Sequence, residues 1–187
     1  MDGSGTARAG EDTAHTRALI SAQVEATLED AVETLADALA GIDFAQVCLF
    51  VSPDADFDTV VATATRLFEP AHVLACTTAG EIGAGGYEDG QIIAVGFPAD
   101  LFAVEPLMIA PLDEMDEQGE IDRVIRTRLR LAGMVKGFDT EFAFSMVDGL
   151  SLREDALTSM LSSGLGGAPL FGGSAGDGTR FETTRLA

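Results

Sequence analysis

Basic side chains are scarce in this sequence. Eleven Lys and Arg stand against 31 Asp and Glu, Lys136 is the sole lysine, and the formal net charge is -20 at pH 7. Phosphate backbones and anionic membrane surfaces are bound through basic footprints, so the expectation is no nucleic acid and no membrane partner. The acidity reads as a solvated, self-repelling surface. Cysteine is almost missing too. Cys48 and Cys76 are too few for a disulfide scaffold, and both fall in apolar runs, which predicts buried free thiols. His15 and His72 are far apart and supply no zinc spacing with the cysteines. No apolar stretch approaches the roughly 20 residues of a membrane span. The opening MDGSGTARAGEDT has neither the basic start nor the apolar core of an export signal, so residues 1–14 read as a disordered tail and the location as cytoplasmic.

Apolar residues, by contrast, are plentiful. They make up 47% of the 187 residues, enough for one ordinary domain over residues 15–187. From His15 to Ala40, Leu19, Val24, Leu28, Ala31, Val32, Leu35 and Leu39 recur at three- and four-residue steps before Gly41, which predicts an amphipathic helix. Gln46–Val51 reads as a strand covered on both faces. Asp56 or one of its neighbours caps a helix through about Phe68, and His72–Cys76 is a second buried strand. After a glycine-rich stretch, Gln91–Phe97 and Leu101–Ile109 read as an antiparallel pair. A helix over Met115–Leu131 turns Ile121, Val124, Ile125 and Leu129 inward. Phe142–Val147 is a strand, Ser151 caps a helix to Leu161 with Glu154 at the capping-box position, and Leu170-Phe171 is a strand.

Strand, turn, helix, strand and a small-residue loop therefore occur twice, over Cys48–Glu81 and Ala143–Asp177. Aligned end to end, Thr77-Thr78-Ala79-Gly80-Glu81 corresponds to Gly173-Ser174-Ala175-Gly176-Asp177. Crossover helices make such strand pairs parallel, so both loops leave carboxyl ends, the edge where open parallel sheets bind ligands. The fold class is α/β: a mixed sheet from two repeated βαβ units with an intervening β-hairpin and helix. Hydroxyls, amides and one acid per loop suit a small polar ligand. Thr77, Thr78, Glu81, Ser174 and Asp177 would bind it, with Gly80, Gly173 and Gly176 giving backbone access.

Catalytic motifs fail on context. Gly172-Gly173-Ser174-Ala175-Gly176 fits G-x-S-x-G, but no helix pattern follows and both histidines precede the serine. No Walker A sequence is present, and Gly164-Leu165-Gly166-Gly167 precedes a strand where a dinucleotide fingerprint follows one. The expectation is a protein that is not an enzyme. Arg153 reads as a surface ion pair with Glu154 or Asp155, the alternative being a partner for a ligand carboxylate.

LFVSPDADFD, HVLACTTAGEIGAGGYEDGQIIAVGF, FAFSMVDGLSLREDAL and LFGGSAGD resemble the N-terminal half of the FIST domain family from about Ile20 onward. The resemblance implies an intracellular sensory module feeding a histidine kinase, chemoreceptor or cyclic-dinucleotide enzyme, with small ligands such as amino acids. It also implies a C-terminal FIST half as partner. Some members are nitric-oxide-sensing haem proteins, which makes haem binding through His72 an alternative, although no family haem motif falls on His15 or His72. A module that binds no ligand and docks a partner through its acidic surface is the third reading.

Overall fold

The computed structural model describes residues 18–187, so the tail over residues 1–14 and the first residues of the helix expected from His15 lie outside the described residues. The chain runs β1 (Ile20–Glu25), α1 (Ala31–Ala38), β2 (Phe44–Val51), α2 (Phe57–Leu67), β3 (His72–Thr77), β4 (Glu81–Gly83), β5 (Gly86–Glu88), β6 (Gln91–Pro98), α3 (Glu117–Met134), β7 (Ala143–Asp148), α4 (Glu154–Leu165) and β8 (Leu170–Ala175). The class is α/β, as the sequence predicts.

A mixed four-stranded sheet has the order β1-β6-β2-β3. β2 and β3 are parallel, joined across α2, and β6 runs antiparallel to both β2 and β1. Val47, Leu49, Val51, Ala75, Ile92 and Ala94 point to one face and form a core with Val32 and Leu35 of α1 and with Val60 and Ala64 of α2. Leu35 is fully buried, and burying such a side chain is worth roughly 1.5–3 kcal/mol. α2 starts where the Asp56 carboxylate accepts from the Thr59 amide at 3.2 Å, satisfying one of the orphan donors of the first turn.

The helix expected over His15–Ala40 is a strand followed by an eight-residue helix. Ile20, Ala22 and Val24 alternate on the pleat of β1 and pack against the core, held by β6 some 70 residues away. Leu101–Ile109 forms no strand, because both edges of its expected partner β6 are taken by β1 and β2. Instead the glycine-rich stretch folds into the β4–β5 hairpin. In α3, Val124 is buried, but Ile125 and Leu129 are 40% and 69% exposed, so they do not turn inward. Helix α4 has Arg153, not Ser151, at its N-cap and runs on to Leu165. The Ser151 hydroxyl donates to the Asp148 carbonyl in the preceding turn at 2.6 Å instead.

The second strand pair, β7–β8, is parallel and joined across α4, but it forms its own two-stranded sheet. Ala143, Val147 and Leu170 pack under α3 and α4 around Val124, Leu157, Met160 and Leu165. Among the described residues no helix is long and apolar enough to cross a membrane.

Candidate functional site

In both sheets the side chains alternate, so the face away from the helices carries the other half of each strand. On the large sheet that face presents Phe50 and Cys76, and on the small sheet Phe144, Met146 and Phe171. These two helix-free faces enclose an open cleft of about 550 Å³. Its rim is polar backbone: Thr77, Thr78, Ala79 and Gly80 on one side, Gly172, Gly173 and Ser174 on the other. The two loops singled out in the sequence thus meet in space at the carboxyl ends of β3 and β8. They also bond each other, through the Gly176 amide to the Thr77 carbonyl and the Gly178 amide to the Thr78 carbonyl, both at 2.9 Å. Gly176 is needed there, since a Cβ would fall 2.9 Å from the Ala79 side chain.

The eight predicted site residues divide by what they touch. Thr77 is buried, and its hydroxyl accepts from the Arg185 amide at 3.0 Å. This bond tethers a C-terminal segment whose Ala187 and Arg185 pair with Ala75 and Thr77 along the outer edge of β3. Thr78 Oγ1 lies within hydrogen-bond reach of the Val51 carbonyl at 3.2 Å and of one carboxylate oxygen of Glu81. The other Glu81 oxygen accepts from the Gln91 amide at 3.0 Å, so this buried acid fastens the start of β6 to the loop. Asp177 is also buried and accepts from the amides of Phe181, Glu182 and Thr183 at 2.9, 2.6 and 2.8 Å. The Thr183, Glu182 and Phe181 amides hold its carboxyl below the usual carboxylate range. Both acids are therefore engaged with their own loops. Ser174, Gly173 and Gly80 line the cleft, and Ser174 and Gly173 are exposed.

The two loops are also offset by one residue from the end-to-end alignment. Val51 and Val147 both point into their helix cores, and their registered partners are Thr77 and Ser174. Ser174 is thus the counterpart of Thr77, and Glu81 and Asp177 are not counterparts. The extra residue lies in the second unit between its two strands, where a sequence comparison anchored on Ala-Gly-acid does not detect it.

Sequence reasoning missed the cleft's apolar walls. Phe144 and Phe171 line the cleft, and behind them a chain of ring contacts runs on through Phe142 and Phe102 to Phe97, with centroids 5.2–6.4 Å apart. The signal was present as every second residue of Phe142–Met146, the half of the pleat that α3 and α4 do not cover. Tyr87 of the hairpin reaches back over the rim, its hydroxyl bonded to Asp89 at 3.0 Å; a Cβ on Gly80 (φ 100°) would fall 2.1 Å from that oxygen.

Cys48 and Cys76 are free and buried, as expected. Burial and the neighbouring Cys48 push the Cys76 thiol up to about 12. His72 is exposed at the amino end of β3, the far end of the strand from the cleft. Arg153 pairs with Asp113 at 3.1 Å, not with Glu154 or Asp155. Among the described residues no three His, Cys, Asp or Glu side chains converge as metal ligands do.

Against this geometry, the model of one protein family, described as FIST N domain, matches residues 45–187. No curated protein matches the chain, and no solved structure matches it.

Proposed function

The chain belongs to the FIST N domain family of signal-transduction sensory domains, and from that premise we propose that its input is a small polar ligand held in the cleft between the two loops. The observation that carries the reading is the convergence of Thr77–Gly80 and Gly172–Ser174 on one cleft at the carboxyl ends of two parallel strand pairs. Cleft size fits a free amino acid, toward the lower part of the range that small-molecule sites occupy. Two of the lining residues, Ala79 and Gly80, have backbone amides with no hydrogen-bond partner among the described residues. These are donors for a carboxylate. A net charge of -20 opposes a bare anion, and the ammonium of a zwitterion relieves that repulsion. The phenyl and thioether walls favour an apolar side chain on the ligand. Thr77 and Thr78 shape the rim, while Glu81, Gly176 and Asp177 hold the two loops in register.

In this reading the protein is a cytoplasmic binding module, not an enzyme. Ser174 is the penultimate residue of β8, and among the described residues no histidine stands beside it, since His72 lies at the opposite end of β3. The same placement argues against haem held by His72 at this cleft. The signal passes to an output such as a histidine kinase, chemoreceptor or cyclic-dinucleotide enzyme, with a C-terminal FIST half as the neighbouring element. A thermal-shift scan of the twenty amino acids tests the ligand: one present at ten times its Kd adds about 1.4 kcal/mol of stability. Leucine-like or methionine-like side chains are expected to give the largest shift. No shift with any amino acid would sink this assignment.

A further inference from the structure

The second half of the molecule repeats the order of elements of the first but holds no counterpart of β6 among the described residues. In the first half, β1 leads into α1, then β2, α2 and β3, and β6 inserts between β1 and β2. In the second, residues 105–109 lead into α3, then β7, α4 and β8. Residues 105–109 alternate half-buried and exposed, and Leu107 and Ile109 pack on the α3–α4 core as Ala22 and Val24 of β1 pack on theirs. Arg123 and Arg130 of α3 clamp this segment, on the Met108 carbonyl at 3.0 Å and on Glu105. Yet it makes no ladder with β7 or with any other strand among the described residues.

β7 shows the complementary gap. The Ala143 amide donates to Pro169 at 2.8 Å, so Ala143, Ser145 and Val147 face β8. Backbone alternation then points the amides of Phe144 and Met146 the other way, where no backbone acceptor meets them among the described residues. In the first half the corresponding edge of β2 is the one that meets β6, with the Ser52 amide on the Gln91 carbonyl at 2.9 Å. A parallel pair of strands with one bare aromatic face is an incomplete sheet.

We propose that the α3–α4 half holds a slot one strand wide, between residues 105–109 and β7, and that its occupant is an extended segment of a partner polypeptide, antiparallel to β7, apolar on both faces and flanked by basic residues. Apolarity on both faces follows from the helix core on one side and Phe142, Phe144 and Met146 on the other; β6, the occupant of the matching place, reads QIIAVGFP. The basic flanks follow from the charge of -20. A second copy is excluded on both counts, since it carries the same charge and its own β6 is held between β1 and β2. Residues 1–17 contain no apolar run to fill the slot.

The test is residue-resolved amide exchange on the full chain by NMR, with a synthetic peptide of the β6 sequence Gln91–Pro98 carrying two lysines at each end. Without peptide, the Phe144 and Met146 amides are expected to exchange at least tenfold faster than those of Ser145 and Val147. Saturating peptide should slow both at least tenfold, and the same peptide N-methylated at alternate residues should not. Equal protection of all four amides in the chain alone would overturn the proposal. So would peptide protection confined to another edge, no slowing at millimolar peptide, or a concentration-dependent dimer that itself protects Phe144 and Met146.

Discussion

Two adjacent glycines in β8 should respond oppositely to the same one-carbon change. A Cβ on Gly172 would fall 1.8 Å from the backbone oxygen of Ser145, across the β7–β8 ladder, whereas one on Gly173 meets nothing within 4 Å. Relief at Gly172 requires the strands to part by roughly 1.5 Å, to reach the ~3.3 Å at which carbon and oxygen rest comfortably. That separation breaks the ladder bonds on either side of Ser145, at about 1 kcal/mol each, on top of an overpacking cost of about 1–3 kcal/mol. Gly172→Ala should therefore lose about 3–5 kcal/mol, a large share of the roughly 5–15 kcal/mol of a whole domain. Gly173→Ala should change stability by less than about 1 kcal/mol, with a gain possible from reduced freedom in the unfolded chain. Urea denaturation followed by circular dichroism measures both. Equal costs for the two variants would refute the placement of β8 against β7 and, with it, one wall of the cleft.

Other predictions concern the buried acids and thiols. Glu81→Ala leaves the Gln91 amide without its acceptor, so it should destabilise by about 1–3 kcal/mol in the same urea assay; unchanged stability would return Glu81 to a ligand-facing role. For Asp177 the folded-state pKa lies below the unfolded one, so its stabilisation is fully present above the unfolded value of about 4 and is lost as pH falls through the folded one. The Tm difference between the native chain and Asp177→Asn should accordingly be constant near neutrality and shrink in acid, and a difference that grows in acid would contradict the backbone cradle. Cys76, with its thiol pushed up to about 12 by burial and by Cys48, should resist a thiol reagent at pH 8 in the folded chain and react on unfolding; rapid reaction of the native protein would place it in solvent.

What could be read from the sequence was local. β2, β3 and β7 are short apolar runs bounded by turn residues, and α2 carries its own cap at Asp56, so each announces itself within a dozen residues. β1 did not, because Leu19, Val24 and Leu28 fit a helical step while Ile20, Ala22 and Val24 fit a strand, and the choice is made by β6, distant in sequence. Leu101–Ile109 has the alternation of a strand but no ladder partner. Residue types singled out two loops that do meet in space, and their pairing through Gly176 and Gly178 was beyond any local pattern. The acids were the least legible: a carboxylate beside glycines looks alike whether it meets a ligand or, as Asp177 does, three amides of its own chain.

Whether the ligand sits in the cleft between the loops is decided by amide chemical-shift mapping with the amino acid that gives the largest thermal shift. Saturable shifts are expected at Ala79, Gly80, Gly173 and Ser174, as is their loss in Gly173→Val with the rest of the spectrum retained. Shifts centred elsewhere, or undiminished in that variant, would contradict that placement.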